Sequence, residues 1–314
     1  MAMSRFFDPK NDIAFKRIFG TEKNKDILIH FLNDILSLKD NEEITDVEFL
    51  STVQDPDIAS KKQSLVDVLC KDKTGIQYII EMQVSPSLGF EKRAQYYAAK
   101  AYCRQTNKGQ KEDGKYANLK EVIFIAIADT ILFPDKKDYK SDHIILDKDN
   151  YDHDLKDFYF TFIELPKFKK EKIDELSNMI EKWCYFFKHA KETSQEDLVK
   201  IIGSDKVIER AYEALDQFNW SEKELIAYEQ ELKRVWDNQA VEDYKLLKAE
   251  EKGIEKGKAE VLQEGLQEGR QERNLEIARN LLSQAVDMKI IMQVTGLSEV
   301  ELMALHHSLK DKKI

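Results

Sequence analysis

A mixed α/β core followed by a C-terminal α-helical extension is predicted by three features of the sequence. SLVDVLCKDKTGIQYIIEMQV, residues 64–84, reads as two strands around a turn; EVIFIAIA, residues 121–128, is a β-branched, nearly uncharged run typical of a buried strand; and helical periodicity dominates beyond Lys167. The elements fall in the order αβββαβ before the extension begins.

Asp12 to Phe19 and Lys25 to Leu36 carry helical patterns, and Thr45 to Val53 reads as a strand. The two strands of 64–84 are expected to be antiparallel neighbours, because Asp72-Lys73-Thr74-Gly75 ends in a glycine, as hairpin connections often do. Phe90 to Thr106 is rich in helix formers, and Phe158 begins a further strand, FYFTFIEL. A boundary falls near Pro166. Apolar residues at Leu176, Met179, Ile180, Trp183, Phe186 and Phe187 form an amphipathic stripe suited to packing on the core, and Trp220 and Trp236 extend that layer.

At a period of two, Leu65, Asp67 and Leu69 share one face of the first strand, and Ile79, Glu81 and Gln83 share one face of the second. Both acids interrupt apolar rows, and neighbouring strands bring them together. Mg²⁺ is commonly held by one or two carboxylates with water and a substrate phosphate, so Asp67 and Glu81 suffice for a catalytic ion, with the Met82 backbone carbonyl as a further ligand. Gln83 returns to the face of Glu81, where its amide can orient water or donate to phosphate. Arg93 and Tyr97 lie four apart on the next helix, placed to meet a phosphate or to pin the strand; packing is the plainer role for Tyr97. Asn11 or Asp12 can cap the first helix by satisfying its free backbone N–H groups. Lys16 on that helix is either a phosphate contact or a solvated lysine.

The chain has 314 residues, 42% of them hydrophobic, enough for one sizeable core with accessory helices. It lacks a membrane-length apolar run, and MAMSRFFDPKND is not a signal peptide, so a cytoplasmic location is expected. Cys70, Cys103 and Cys184 are widely spaced and read as reduced thiols, and no glycine-rich phosphate loop or nucleotide-cofactor fingerprint appears. The net charge of −10 is unevenly spread: residues 1–110 hold 16 basic and 16 acidic side chains, residues 111–314 hold 33 and 43. A basic groove is therefore compatible with the core, drawn from Lys92, Arg93, Lys100 and Arg104, with Lys61 and Lys62.

Near the C-terminus, glycines at 253, 257, 265 and 269 stand in phase with a spacing of four. Each costs a helix about 1 kcal/mol relative to alanine, so the segment reads either as a spacer or as a helix supported by another chain. Beyond it, Gly296 is a helix stop and Ser298 with Glu301 a capping box, giving a helix-turn-helix pattern. Glu299 and Glu301 suit base edges poorly, which favours an interaction module.

NDIAFKRIFG (11–20), FLNDIL (31–36), VDV around Asp67, IEMQ around Glu81, Arg93, Tyr97 and GKYANLKEVIFIAI (114–127) together resemble the recombination-promoting nucleases, also described as putative transposases, of the PD-(D/E)xK superfamily. The resemblance implies a restriction-endonuclease-like αβββαβ core; the patterns above give it the span 1–165, followed by a helical layer (166–249), a glycine-punctuated helical or flexible spacer (250–280) and a helix-turn-helix-like module (281–314). It implies a DNA endonuclease using Mg²⁺, or Mn²⁺ or Ca²⁺, with Asp67 and Glu81 as metal ligands, Gln83 in the place of a lysine and, as the alternative to its capping role, Asp12 as an acid that the first helix sends towards the metal. Its expected role is in recombination or horizontal gene transfer; the in-phase glycines, the small apolar C-terminal unit and a core with one cut site separately lead to the expectation of a homodimer joined through the C-terminal helices. The alternative is a weakly active or inactive DNA-binding or scaffold protein that retains the fold.

Overall fold

A computed structural model describes residues 4–54, 64–105, 116–203 and 205–311, and divides the chain into units covering 1–234 and 235–314. Lys61, Lys62 and Thr106 lie outside the described residues.

The first unit is built on a six-stranded sheet. Its strands are β1 (Val47–Phe49), β4 (Val68–Asp72), β5 (Gln77–Gln83), β6 (Val122–Ala128), β7 (Lys140–Ile144) and β8 (Phe158–Glu164), in the order β1-β4-β5-β6-β8-β7. A two-stranded pair, β2 (Val53–Gln54) and β3 (Ser64–Leu65), lies outside it. β4 and β5 form the expected antiparallel hairpin, whereas β5, β6 and β8 run parallel. The hairpin turn is fixed by chemistry as well as by glycine. Asp72 Oδ1 accepts from Thr74 N at 2.8 Å and Ile76 N at 3.1 Å, and Gly75 takes φ of 92°, a conformation that side chains with a Cβ rarely adopt. β6 is buried along its whole length, as its uncharged sequence requires between two parallel neighbours.

One sheet face is covered by α1 (Asp12–Phe19), α2 (Lys25–Leu36), α4 (Met179–His189), α5 (Gln195–Ile202) and α6 (Lys206–Leu215), which share a core with Val68, Cys70, Tyr78, Ile80, Ile123, Ile125 and Ile127. The other carries α3 (Phe90–Arg104), packed on Leu69, Ile79, Phe124 and Ala126. The stripe read from 176–187 is realised with Trp183, Phe186 and Phe187 fully buried.

Two details differ from the alternating pattern. The strand read over 45–53 is two short strands, and the one read from Ser64 is broken at Asp67. Phe49 pairs with Cys70 but Val53 pairs with Leu65, so the second chain segment carries one residue more than the first between these pairs. That is a bulge. Val66 and Leu69 accordingly enter the α3-side core while Val68 and Cys70 enter the opposite one, which strict alternation forbids. β7 has polar alternation, Lys140-Ser141-Asp142, and pairs at the sheet edge where such a strand is stable.

α7 (Glu222–Ser283) is one continuous helix through all four in-phase glycines. It belongs to the first unit up to Arg234 and to the second thereafter. In the second unit its last turns, α8 (Met288–Thr295) and α9 (Glu299–Asp311) enclose Ala278, Ile291, Leu297 and Leu302. Gly296 ends α8 in the left-handed conformation, and Ser298 and Glu301 form the capping box of α9, with Ser298 N donating to Glu301 Oε2 at 2.8 Å.

Candidate active site

The hairpin ladder ends with Val68 opposite Ile80, and Asp67 and Glu81 follow directly beyond that pair. The bulge turns Asp67 towards β5, where its Oδ2 accepts the Met82 backbone N–H at 2.9 Å. On its other side β5 bonds β6, with Asp129 N donating to the Gln83 carbonyl at 2.8 Å. Backbone polar groups alternate sides along a strand, so the Met82 carbonyl faces the same gap as Asp67.

α1 supplies the next two groups. Asn11 is its cap, its side chain accepting from Ile13 N at 3.0 Å and Ala14 N at 3.4 Å, which leaves Asp12 free of that task. Lys16 Nζ lies 2.7 Å from Asp12 Oδ1 and 3.8 Å from Asp67 Oδ1. Asp12 and Lys16 therefore stand beside the two strand acids. From the opposite layer, α3 brings Arg93, which donates through Nη2 to Gln83 Oε1, while Gln83 Nε2 donates to the Ser85 carbonyl. Tyr97, one turn on, packs partly buried against the α3-side core.

Burial dominates the electrostatics. It pushes the Asp67 carboxyl up to about 6, with the Met82 N–H and Lys16 opposing and Asp12 reinforcing the rise. It pushes Glu81 up to about 8, helped by the charge of Asp67 and opposed by Arg93. The Tyr97 hydroxyl is raised by burial and then by Glu81. Glu81 Oε1 is buried without a hydrogen-bond partner among the described residues. Two acids so placed favour a shared proton or a bound cation over two bare charges.

Three participants were not singled out from sequence. Lys10 pairs with Asp129 at 2.7 Å directly beyond β6, beside Gln83. Asp129 could have been found from its place after a buried parallel strand, since sites of open α/β sheets gather at strand carboxyl ends. Arg234, held mainly by Glu231, also feels the charge of Asp12; its distance in sequence from α1 gave no signal. Of the expected basic groove, Lys92, Arg93, Lys100 and Arg104 all lie on α3.

Among the described residues, no helix is long and apolar enough to cross a membrane, and no three His, Cys, Asp or Glu side chains form a ready-made metal cage. Comparison with known proteins gives two matches: the PD-(D/E)XK nuclease family transposase profile over residues 9–245, and the Rpn/YhgA-like nuclease family, C-terminal HTH domain, over 271–307. No curated protein and no solved structure matches. The first profile spans the sheet, both covering layers and every strand acid described above, and with that extent the chain belongs to the PD-(D/E)XK nuclease family transposases.

Proposed function

We propose that this chain is a divalent-metal-dependent DNA endonuclease, acting in the cytoplasm to promote recombination or horizontal gene transfer. The observation that carries the reading is the close approach of Asp67 and Glu81 just beyond the Val68–Ile80 pair of the hairpin, with Glu81 Oε1 buried and without a partner among the described residues. The donor set fits a hard cation: two carboxylates and the Met82 carbonyl are oxygen ligands, and a partial protein shell is what Mg²⁺, which keeps several waters, accepts. Mn²⁺ and Ca²⁺ share the preference for oxygen.

When bound, such an ion lowers the pKa of its water and neutralises phosphate charge. The chain's own residues then divide the work. Asp67 and Glu81 hold the metal edge of the site, Asp67 being kept in register by Met82. Asp12 and Lys16 border the same edge, where the ammonium would donate to a phosphate oxygen. Gln83, Arg93 and Tyr97 form the α3 side, and Gln83 is neutral, so it supplies neither the charge of a lysine nor a base. Hydrolysis forms a bond from water oxygen to phosphorus and breaks one P–O bond of the strand. Two cores joined as a homodimer through the C-terminal helices would serve both strands of a duplex.

Plasmid incubated with the full chain and Mg²⁺, Mn²⁺ or Ca²⁺ tests the reading, with Asp67→Ala as control. Metal-dependent nicking lost in the variant is the expected result. Intact plasmid under all three metals would favour the catalytically inactive DNA-binding alternative.

A further inference from the structure

Besides Glu81 Oε1, the site contains a second buried polar atom without a partner among the described residues: Arg93 Nε. Unmatched buried donors are rare in folded proteins, and each one calls for an explanation. Arg93 is otherwise well fixed. Its Cζ lies 4.7 Å from the centroid of the Phe90 ring, its backbone N–H bonds the Gly89 carbonyl at 3.0 Å, and its Nη2 bonds Gln83 Oε1. The guanidinium is thus held by a ring and by an amide, while Nε–H remains unused.

Gln83 is correspondingly committed. Its Oε1 faces a guanidinium and its Nε2 faces the Ser85 carbonyl; exchanging the two would set donor against donor and acceptor against acceptor. Its carbonyl therefore serves Arg93. A lysine at 83 would instead bring a second cation against Arg93.

From this arrangement, and resting on the nuclease reading above, we infer that Arg93 is the group that contacts the scissile phosphate, and that Gln83 is a positioning residue acting through it. A phosphodiester gains negative charge on its non-bridging oxygens as the water oxygen adds and the P–O bond to the leaving strand breaks. A planar, fixed guanidinium matches those oxygens with N–H donors already held in place. Its placement by Phe90 and Gln83 before substrate arrives is the preorganisation that such stabilisation needs.

The test is a double-variant cycle on DNA affinity, read by anisotropy of a labelled duplex with the full chain in EDTA, where metal-dependent cutting is shut off. Arg93→Ala should weaken binding about tenfold and Gln83→Ala about threefold, while the double variant should bind no more weakly than Arg93→Ala alone, because contacts that act as a unit are not additive. Arg93→Lys keeps the charge without the planar fork, so it should fall between wild type and Arg93→Ala; it also carries the cycle if the alanine variant does not fold. A double variant weakened by the product of the two single effects would overturn the positioning role. Unchanged affinity in a folded Arg93→Ala would overturn the phosphate contact. The nuclease reading fails separately: a wild-type chain that shows the non-additive cycle but cuts nothing supports the Arg93–Gln83 unit and refutes catalysis. A wild-type chain that does not bind the duplex overturns both.

Discussion

Asp67 accepts the backbone N–H of Met82, so the first strand acid is anchored on the strand that presents the second. This contact separates two functions of one carboxyl group. Asp67→Asn keeps an oxygen for the Met82 N–H, whereas Asp67→Ala leaves that partly buried donor unmatched at a cost of about 1 kcal/mol. Both variants should abolish metal-dependent nicking, and thermal melts of the metal-free proteins should place Asn at or above wild type and Ala below Asn. Equal melting of the two variants would mean that the Asp67–Met82 bond contributes nothing to the fold.

Asp67 and Glu81 together set a pH dependence. Burial raises Asp67 from 3.8 to about 6 and Glu81 from 4.5 to about 8, so between these limits the folded chain retains protons that the unfolded chain has lost. The sign is a penalty. It is absent at acid pH, grows as pH rises from about 4, and is complete above about pH 8. Metal-free wild type should therefore lose stability over this range relative to an Asp67→Asn, Glu81→Gln double variant. Ligands must be deprotonated to bind, so Mg²⁺ should raise the melting temperature more at about pH 8 than at about pH 5.5. A larger shift at the acid end would contradict the assignment.

Asn11 and Asp12 make a further contrast at the start of α1. Asn11 bonds the free N–H groups of the first turn, and Asp12 turns to Lys16 and Asp67. Asn11→Ala should cost about 1 kcal/mol of stability, a typical loss for a helix cap, and retain cleavage. Asp12→Ala should depress cleavage with little change in urea midpoint. The reverse pattern would return Asp12 to a capping role.

Much of this was legible in the sequence, for definite reasons. Alternation and the Asp72–Gly75 turn gave the hairpin, and the two acids stood out because they interrupt apolar rows; the hairpin is as expected. Alternation could not show the bulge at Asp67, because an added residue in one strand is visible only against the register of its partner. The Arg93–Gln83 contact was hidden for a related reason: helical spacing says which residues share a face of α3, but not which strand atom they meet. β7 was missed because an edge strand needs no apolar row. Arg234 and Asp12 are brought near each other only by tertiary packing.

The glycines of α7 offer the sharpest test of self-association. A Cβ at Gly253, Gly257, Gly265 or Gly269 would meet nothing within 4 Å, so within one chain alanine is free to replace each, gaining about 1 kcal/mol of helix stability per site. Selection for helix stability alone would favour alanine. Exposed Leu247, Ile254 and Val261 repeat at intervals of seven along the same helix, a spacing suited to a partner helix, and the glycines would let its backbone approach closely. Replacing all four glycines should therefore raise the helicity of the chain while weakening a dimer at micromolar concentration. Circular dichroism and light scattering on the full chain, beside a version ending near Ala240, read the two effects separately. Higher helicity with an unchanged dimer would make the glycines a spacer feature and move the interface elsewhere. If both the wild type and the shortened chain are monomeric, association through α7 is refuted, and one core would have to turn around on DNA to cut both strands.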